Sequence, residues 1–401
     1  MKCLAPSTLS LLIACSITAP VSADVELDVS GRIGIELRTF NEDGRYDGQD
    51  YTANISTFME PSLAWQWNQG NDLAVITPYF RIDQHDSERT HADLREFYWL
   101  HVADDWEVKA GISHVFWGVT EFQHLSDVIN QTDLIEDLDG EDKLGQPMLK
   151  LSLVRDAGIF DFYLLPGFRE QTLAGKHGRF RPSFVIDNND AIYQSSAEER
   201  HIDAAIRWSH STGPFDLGAY LFKGTNREAT LTPRIKGAQI SLIPYYSQMT
   251  QIGGDLQYTT GNWLWKAEGI WRDSQSTTLS AIQAGAEYTF YGIADSATDL
   301  GLLIEYGWDN KGKNSTRVYQ NDISVGARFG FNDIQSTELL IGITYDVDYR
   351  STSVGLEGSR RLGDSWKISV DARFFNAGDI NDPLYLIDDD NYIGLTLERY
   401  F

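Results

Sequence analysis

The sequence predicts an all-β chain, a transmembrane antiparallel β-barrel of about 18 strands, with 16 as the alternative count. Three observations predict it. Apolar and polar residues alternate with period two in one segment after another, the mark of strands with one apolar and one polar face. Connections alternate between short turns and longer polar loops, so that one rim carries turns and the other carries loops. Tryptophans gather near strand ends, where a ring finds an apolar bed and a polar rim: Trp65, Trp67, Trp99, Trp106, Trp117, Trp208, Trp263, Trp308 and Trp366.

The alternation begins at Val25. Val25, Leu27, Val29, Ile33, Ile35 and Leu37 face away from Glu26, Asp28, Ser30, Arg32, Glu36 and Arg38. That run is longer than the usual soluble strand and suits a tilted strand of about ten residues with an overhang. A second strand ends at Leu63–Trp67, and a third covers Leu73 to Gln84. Leu94 to Val102 and Trp106 to Gly118 form a hairpin across Ala103-Asp104-Asp105. Strands follow at 148–154, 159–168, 201–210, 215–231, 241–258 and 263–272. The last seven lie near 280–291, 298–308, 320–331, 336–347, 350–361, 365–376 and 391–401. Longer polar loops are expected at 41–51, 85–92, 118–146, 169–199, 232–240, 309–319 and 377–390, with Asp348-Tyr349 as a short exception. Short turns on the periplasmic side and long loops outside would put both ends of the barrel on one rim.

The chain of 401 residues carries 33 basic and 58 acidic side chains, a net charge of -25. Such acidity argues against nucleic acid as a partner. It does not argue against a membrane, because a barrel hides charge in its lumen and loops. Beyond the N-terminus no run of 18 apolar residues exists, so no transmembrane helix is expected. Residues 1–23 read as a signal peptide, with Lys2, an apolar centre at Leu9–Ala14 and a small-residue cleavage site at Val21-Ser22-Ala23. The rival reading is a lipidated Cys15 after Leu12-Ile13-Ala14. Residues 24–401 then form one barrel. Both cysteines, Cys3 and Cys15, fall in the signal, so the exported chain has no disulfide framework after cleavage at Ala23.

The last strand, Asn391 to Phe401, alternates Ile393, Leu395, Leu397 and ends on an aromatic. It resembles the C-terminal assembly signal of bacterial outer-membrane proteins, with Arg399 where an apolar residue is more usual. The run LREFYWLHVADDWEVKAGISHVFWGVTEF and the later DVIN resemble a poorly characterised porin-like family of proteobacteria. Tyr246-Ser247-Gln248-Met249, Ile252-Gly253-Gly254-Asp255 and Trp263 to Glu268 share that likeness. The resemblance implies a β-barrel in the outer membrane of a Gram-negative cell. Its partners would be outer-membrane lipid, lipopolysaccharide, the barrel-assembly machinery and small hydrophilic solutes. It brings no site list.

The residues supply candidates of their own. The 118–146 loop carries Glu121, Asp127, Asp133, Glu136, Asp137, Asp139, Glu141 and Asp142. It is the third on the long side, and in general porins the third long loop often narrows the lumen. That resemblance makes Glu121, Asp127, Asp133, Glu136, Asp137 and Asp139 candidates for a constriction that favours cations. The competing reading is a solvated surface loop. Arg169, Lys176, Arg179 and Arg181, with His177, put opposite charge on the following loop. They would oppose the acidic loop across a pore or simply neutralise it. On the inner wall the basic candidates are Arg32, Arg38, Arg81, Arg207, Lys266, Arg328 and Arg373. Arg or Lys facing lipid near the midplane would cost about 2–4 kcal/mol. Asp137 to Asp142 lacks the spacing of a calcium loop, and no His-Glu-x-x-His, Gly-x-Ser-x-Gly or phosphate loop occurs. No metal, cofactor or enzymatic activity is therefore expected. The expected function is passive diffusion of small hydrophilic solutes, against a non-conducting structural or receptor barrel and, less favoured, a membrane enzyme.

Overall fold

A computed structural model describes residues 25–275 and 277–401. The expected signal segment, with Cys3 and Cys15, lies outside the described residues. The strands are β1 (Val25–Phe40), β2 (Ala53–Trp67), β3 (Asp72–Asp83), β4 (His91–Val102), β5 (Trp106–Ser113), β6 (Gln146–Arg155) and β7 (Gly158–Pro166). They continue as β8 (Ile192–Tyr193), β9 (Ile202–Thr212), β10 (Phe215–Thr225), β11 (Thr230–Lys236), β12 (Gln239–Tyr246), β13 (Gln248–Thr260) and β14 (Trp263–Ser274). The last are β15 (Thr277–Phe290), β16 (Asp299–Asp309), β17 (Asn321–Gly330), β18 (Glu338–Asp346), β19 (Thr352–Leu362), β20 (Trp366–Asn376) and β21 (Tyr392–Tyr400).

Eighteen of them form one antiparallel sheet, each paired with its sequence neighbour in the wall, and β1 pairs with β21 to close it. The count of eighteen therefore stands and sixteen does not. Closure leaves no barrel edge unpaired, which hydrocarbon demands. The seam runs from Arg32↔Tyr400 to Phe40↔Tyr392. Past it, Phe401 and Gly31 exchange backbone hydrogen bonds of 3.1 Å in both directions.

The wall is inverted relative to a soluble protein. Val25, Leu27, Val29, Ile33, Ile35 and Leu37 are exposed on the outside, while Glu36 and Arg38 are buried within. The same holds on β14, where Trp263, Trp265 and Trp271 point out and Glu268 and Arg272 point in. An apolar outer belt around a charged interior suits a lipid surround and a polar lumen.

Several elements differ from expectation. The predicted strands 215–231 and 241–258 run together two kinds of structure. β10 stops at Thr225, and β11 and β12 form a separate hairpin outside the wall, with β8 added parallel to β12. Period two recurs in any strand, so alternation cannot tell a wall strand from a loop hairpin. β5 ends at Ser113, five residues before the expected boundary, and Trp117 is not a rim residue. It is buried inside, its ring 5.4 Å from Tyr163 and 5.0 Å from Tyr220. The short-turn rim holds as read: Gly213 and Gly261 take φ of 58° and 57°, which lets their hairpins reverse tightly. On the other rim the β14–β15 connection is a second short exception beside 347–351.

Candidate functional site: a loop that narrows the lumen

The connection from β5 to β6 does not lie on the surface. It enters the barrel and is fixed to the wall at two opposed places. On one side four arginines converge: Arg38 from β1, Arg81 from β3, Arg89 from the following loop and Arg95 from β4. Glu36 sits among them, 2.6 Å from Arg38, 3.1 Å from Arg81 and 3.0 Å from Arg89. Into this cluster the loop delivers Glu136, 2.6 Å from Arg81, and Asp133, 2.7 Å from Arg95. Tyr79 donates to Glu136 at 2.8 Å, and Arg89 donates to the Ile135 carbonyl at 2.7 Å. Burial opposes ionisation of Glu136, but Arg81, Arg89 and Arg95 together hold its carboxyl below the usual range.

The other anchor uses the opposite chemistry. Glu268 of β14 accepts the backbone N–H of Val119 (2.7 Å), Thr120 (3.1 Å) and Ser126 (2.8 Å), and the Thr120 hydroxyl at 2.8 Å. Glu305 of β16 accepts the N–H of Glu121 (2.8 Å) and Phe122 (3.2 Å). A wall carboxylate thereby satisfies backbone donors that a loop in a lumen would otherwise leave unpaired. Phe122 then reaches the far wall. A Cβ on Gly342 would meet its ring at 2.6 Å, so that strand position must be glycine for the ring to lie there. Between the anchors Trp117, Leu125, Val128 and Ile129 pack into an apolar cluster with Tyr163, Tyr220 and Phe222.

What stays open is a passage against β17 to β20. A cavity of about 520 Å³ lies at loop level, between Phe116, Glu121, Phe122 and Asp139 of the loop and Arg328, Gly342, Glu357 and Arg373 of the wall. A second, of about 460 Å³, shares Glu121, Asp139, Arg328, Leu340 and Glu357 with it. A third, of about 310 Å³, shares Glu338, Ser359 and Lys367 with the second and borders the short-turn rim. Each cavity shares lining residues with the next. The cavities at loop level are lined by ion pairs: Glu121 with Arg328 at 2.5 Å and Lys266 at 3.6 Å, and Arg373 with Glu357 at 2.6 Å, Asp139 at 3.2 Å and Asp371 at 3.2 Å.

The six acidic candidates therefore divide. Glu121 and Asp139 border the passage, and Asp137 borders it while also pairing with Arg38 at 3.4 Å. Asp133 and Glu136 are buried in the arginine cluster, and Asp127 is 3.1 Å from Lys143 of its own loop. Among the basic candidates, Lys266, Arg328 and Arg373 line the passage. Arg38 and Arg81 hold the loop, Arg207 pairs with Asp255 at 2.7 Å, and Arg32 bridges Glu60 and Glu398. The basic loop does not oppose the acidic one across a pore. Arg169 pairs with Asp93 and Arg179 with Asp390, while Arg181 donates to the carbonyls of Lys176 and Asp47, and His177 sits against the Gly48 carbonyl.

Sequence reading passed over Arg89, Arg95 and the anchoring role of Glu268 and Glu305. Arg81, Arg89 and Arg95 at intervals of eight and six were a signal, but their partners Glu136, Ile135 and Asp133 lie about 40 to 55 residues further along the chain. His91, Asp133 and Glu136 also converge. Arg81 and Arg95 already occupy their carboxylates, so the trio is an ion-pair centre and not a metal site. Nearer the end of the loop Asp142 keeps an exposed face, and desolvation within the lumen and then the charges of Glu136 and Asp137 push its carboxyl up to about 6. Asp139 is raised well above the usual range, by burial and then by Asp137. His124 is raised despite burial, because it meets Glu141 at 2.5 Å.

No family model matches the sequence, and no curated protein sequence does. Solved structures do match. A BenF-like porin from Pseudomonas fluorescens Pf-5 superposes with a TM-score of 0.54 at 8% identity, over 94% of this chain and 98% of that one. The fold is a porin fold. Salmonella typhi OmpF in complex with daunomycin reaches 0.48 at 9% identity, over 94% of this chain and 97% of that one. Pseudomonas putida OprB reaches 0.47 at 11%, over 94% of each chain. At such identities the likeness concerns the porin barrel alone and assigns no residue a role.

Proposed function

We propose that this chain is an outer-membrane channel through which small hydrophilic solutes diffuse passively. The observation that carries the reading is the row of cavities along β17 to β20, each sharing lining residues with the next. Its charged lining favours water over an apolar ligand. The apolar outer belt and the porin fold support a place in the outer membrane, with lipid and lipopolysaccharide around the wall and the barrel-assembly machinery inserting it. Glu121, Asp139, Lys266, Arg328 and Arg373 form the narrow zone and govern which charge passes. No catalytic role is proposed.

Liposome swelling tests this reading. Vesicles carrying the purified protein should swell in small sugars, at rates that fall steeply as the sugar grows. Vesicles that swell no faster than protein-free ones would favour the plugged structural or receptor barrel instead.

A further inference from the structure

We propose that the short-turn exit of this barrel binds an oxyanion, the carboxylate or phosphate head of a permeating solute, between Arg361 and Lys367. Its role in permeation rests on the channel reading above; the site itself does not. The turn Leu362-Gly363-Asp364-Ser365 joins β19 to β20, with Gly363 at a φ of 69°. Leu362 and Trp366 close the ladder and are exposed on the outer face. Alternation turns the next pair inward, and that pair is Arg361 directly opposite Lys367. Side chains so opposed start about 4.5–5.5 Å apart, and like charges there repel.

Other inward cations of these strands are paired. Arg32 meets Glu398 at 2.8 Å, Arg328 meets Glu121 at 2.5 Å, and Arg373 meets Glu357 at 2.6 Å. Arg361 and Lys367 have no such partner among the described residues. Glu398 opposes Lys367 in the β20–β21 ladder, but Arg32 holds it and the Tyr400 hydroxyl donates to it at 3.3 Å. Glu338 accepts the Ser359 hydroxyl at 2.8 Å. Arg360, next in the chain, pairs with Asp333 of the neighbouring turn at 3.0 Å.

The place of the pair is the second observation. Both residues line the cavity of about 310 Å³ at the short-turn rim, beside Ser336, Ser365 and Tyr400. Lys367 also lines the cavity of about 460 Å³ along the wall and one of about 290 Å³ beside the arginine cluster. Those two share Asp137, Lys367 and Ser369, so the spaces on either side meet at this ammonium. The guanidinium offers a planar fork of donors, the ammonium a point charge, and the serine hydroxyls further donors. That set suits an oxyanion, which can accept from several donors at once. Glu338 and Asp364 line the same cavity and keep the affinity low. A channel requires this, since a bound solute must also leave. Neither cation is among the wall candidates expected from the sequence, because a basic residue beside a turn reads as a solvated one.

Isothermal titration of the full chain in detergent at low salt, with inorganic phosphate and with acetate, is the test. At least one of the two ions should bind with a Kd on the order of 1 mM, and the tighter one identifies the head group. R361Q/K367Q should weaken that binding about tenfold. E338Q keeps an oxygen for Ser359 and should tighten it about threefold. K367Q alone should also weaken it, which serves if the double variant fails to fold. Binding of neither ion up to about 50 mM, or equal binding in all variants, would overturn the site. Binding is read at equilibrium, so an oxyanion held by a barrel that passes no current would leave this site standing and remove the channel reading.

Discussion

At the scale of residues, the acidic loop contains two populations of carboxylate with different work. Asp133 and Glu136 are partners of buried guanidiniums, and removing one member of such a pair costs about 3–5 kcal/mol because the other charge stays behind. D133N/E136Q should therefore unfold in clearly less denaturant than the native barrel. Glu121 and Asp139 border the cavities along β17 to β20. E121Q/D139N should fold normally and lower the cation-to-anion permeability ratio read from the reversal potential, since Arg328 and Arg373 lose counter-charge. Equal stability of all variants would undo this division. Asp142 adds a pH dependence. Its carboxyl, raised from 3.8 to about 6, stays protonated further up in the fold than in the unfolded chain. The stability it lends is full below about pH 3.8 and is lost as pH rises through about 6. In the fold the carboxyl ionises around pH 6 and the lumen then gains a negative charge, so cation preference should climb between about pH 5 and 7. D142N should flatten the climb.

At the scale of elements, the loop between β5 and β6 is a bar across the lumen, fixed at one end by arginines and at the other by Glu268 and Glu305. Its tip is Phe122, seated over Gly342 of the far wall. F122A should raise single-channel conductance, because the ring stands in the narrow zone while the anchoring backbone N–H groups remain. An unchanged conductance would mean that the passage lies elsewhere. The loop's existence, length and charge were legible in the sequence, because a long acidic stretch without alternation cannot be a wall strand. Its anchors were not. Arg89 and Arg95 meet Glu136 and Asp133 only after strands two to four are curled beside the loop, and no local pattern encodes that approach. The hairpin of β11 and β12 illustrates the converse limit, since its alternation is as good as that of the wall. Trp117 was misread for a similar reason: a tryptophan after a strand looks the same whether it meets lipid or folds inward onto Tyr220.

At the scale of the whole molecule, alternation and rim parity were enough to count eighteen strands and to bring both ends to one rim. The reason is physical, because inner and outer faces must alternate along every strand of a closed wall. The closing seam also explains Arg399 in the last strand. It faces outward at the short-turn rim, where it lies over the Trp366 ring at 5.6 Å and within reach of polar headgroups. Ile393, Leu395 and Leu397 stand on the outer face of the same strand, and Phe401 extends its pairing to Gly31. Deleting Phe401 should sharply reduce the protein recovered in the outer membrane, with little effect on the conductance of what does insert. Normal membrane yield would argue against its part in assembly. An open path past the loop along β17 to β20 must carry current, so the deciding measurement is recording of the purified protein in planar bilayers. Insertion should give discrete, lasting conductance steps, altered by F122A and by E121Q/D139N. Well-inserted protein that passes no current would contradict it.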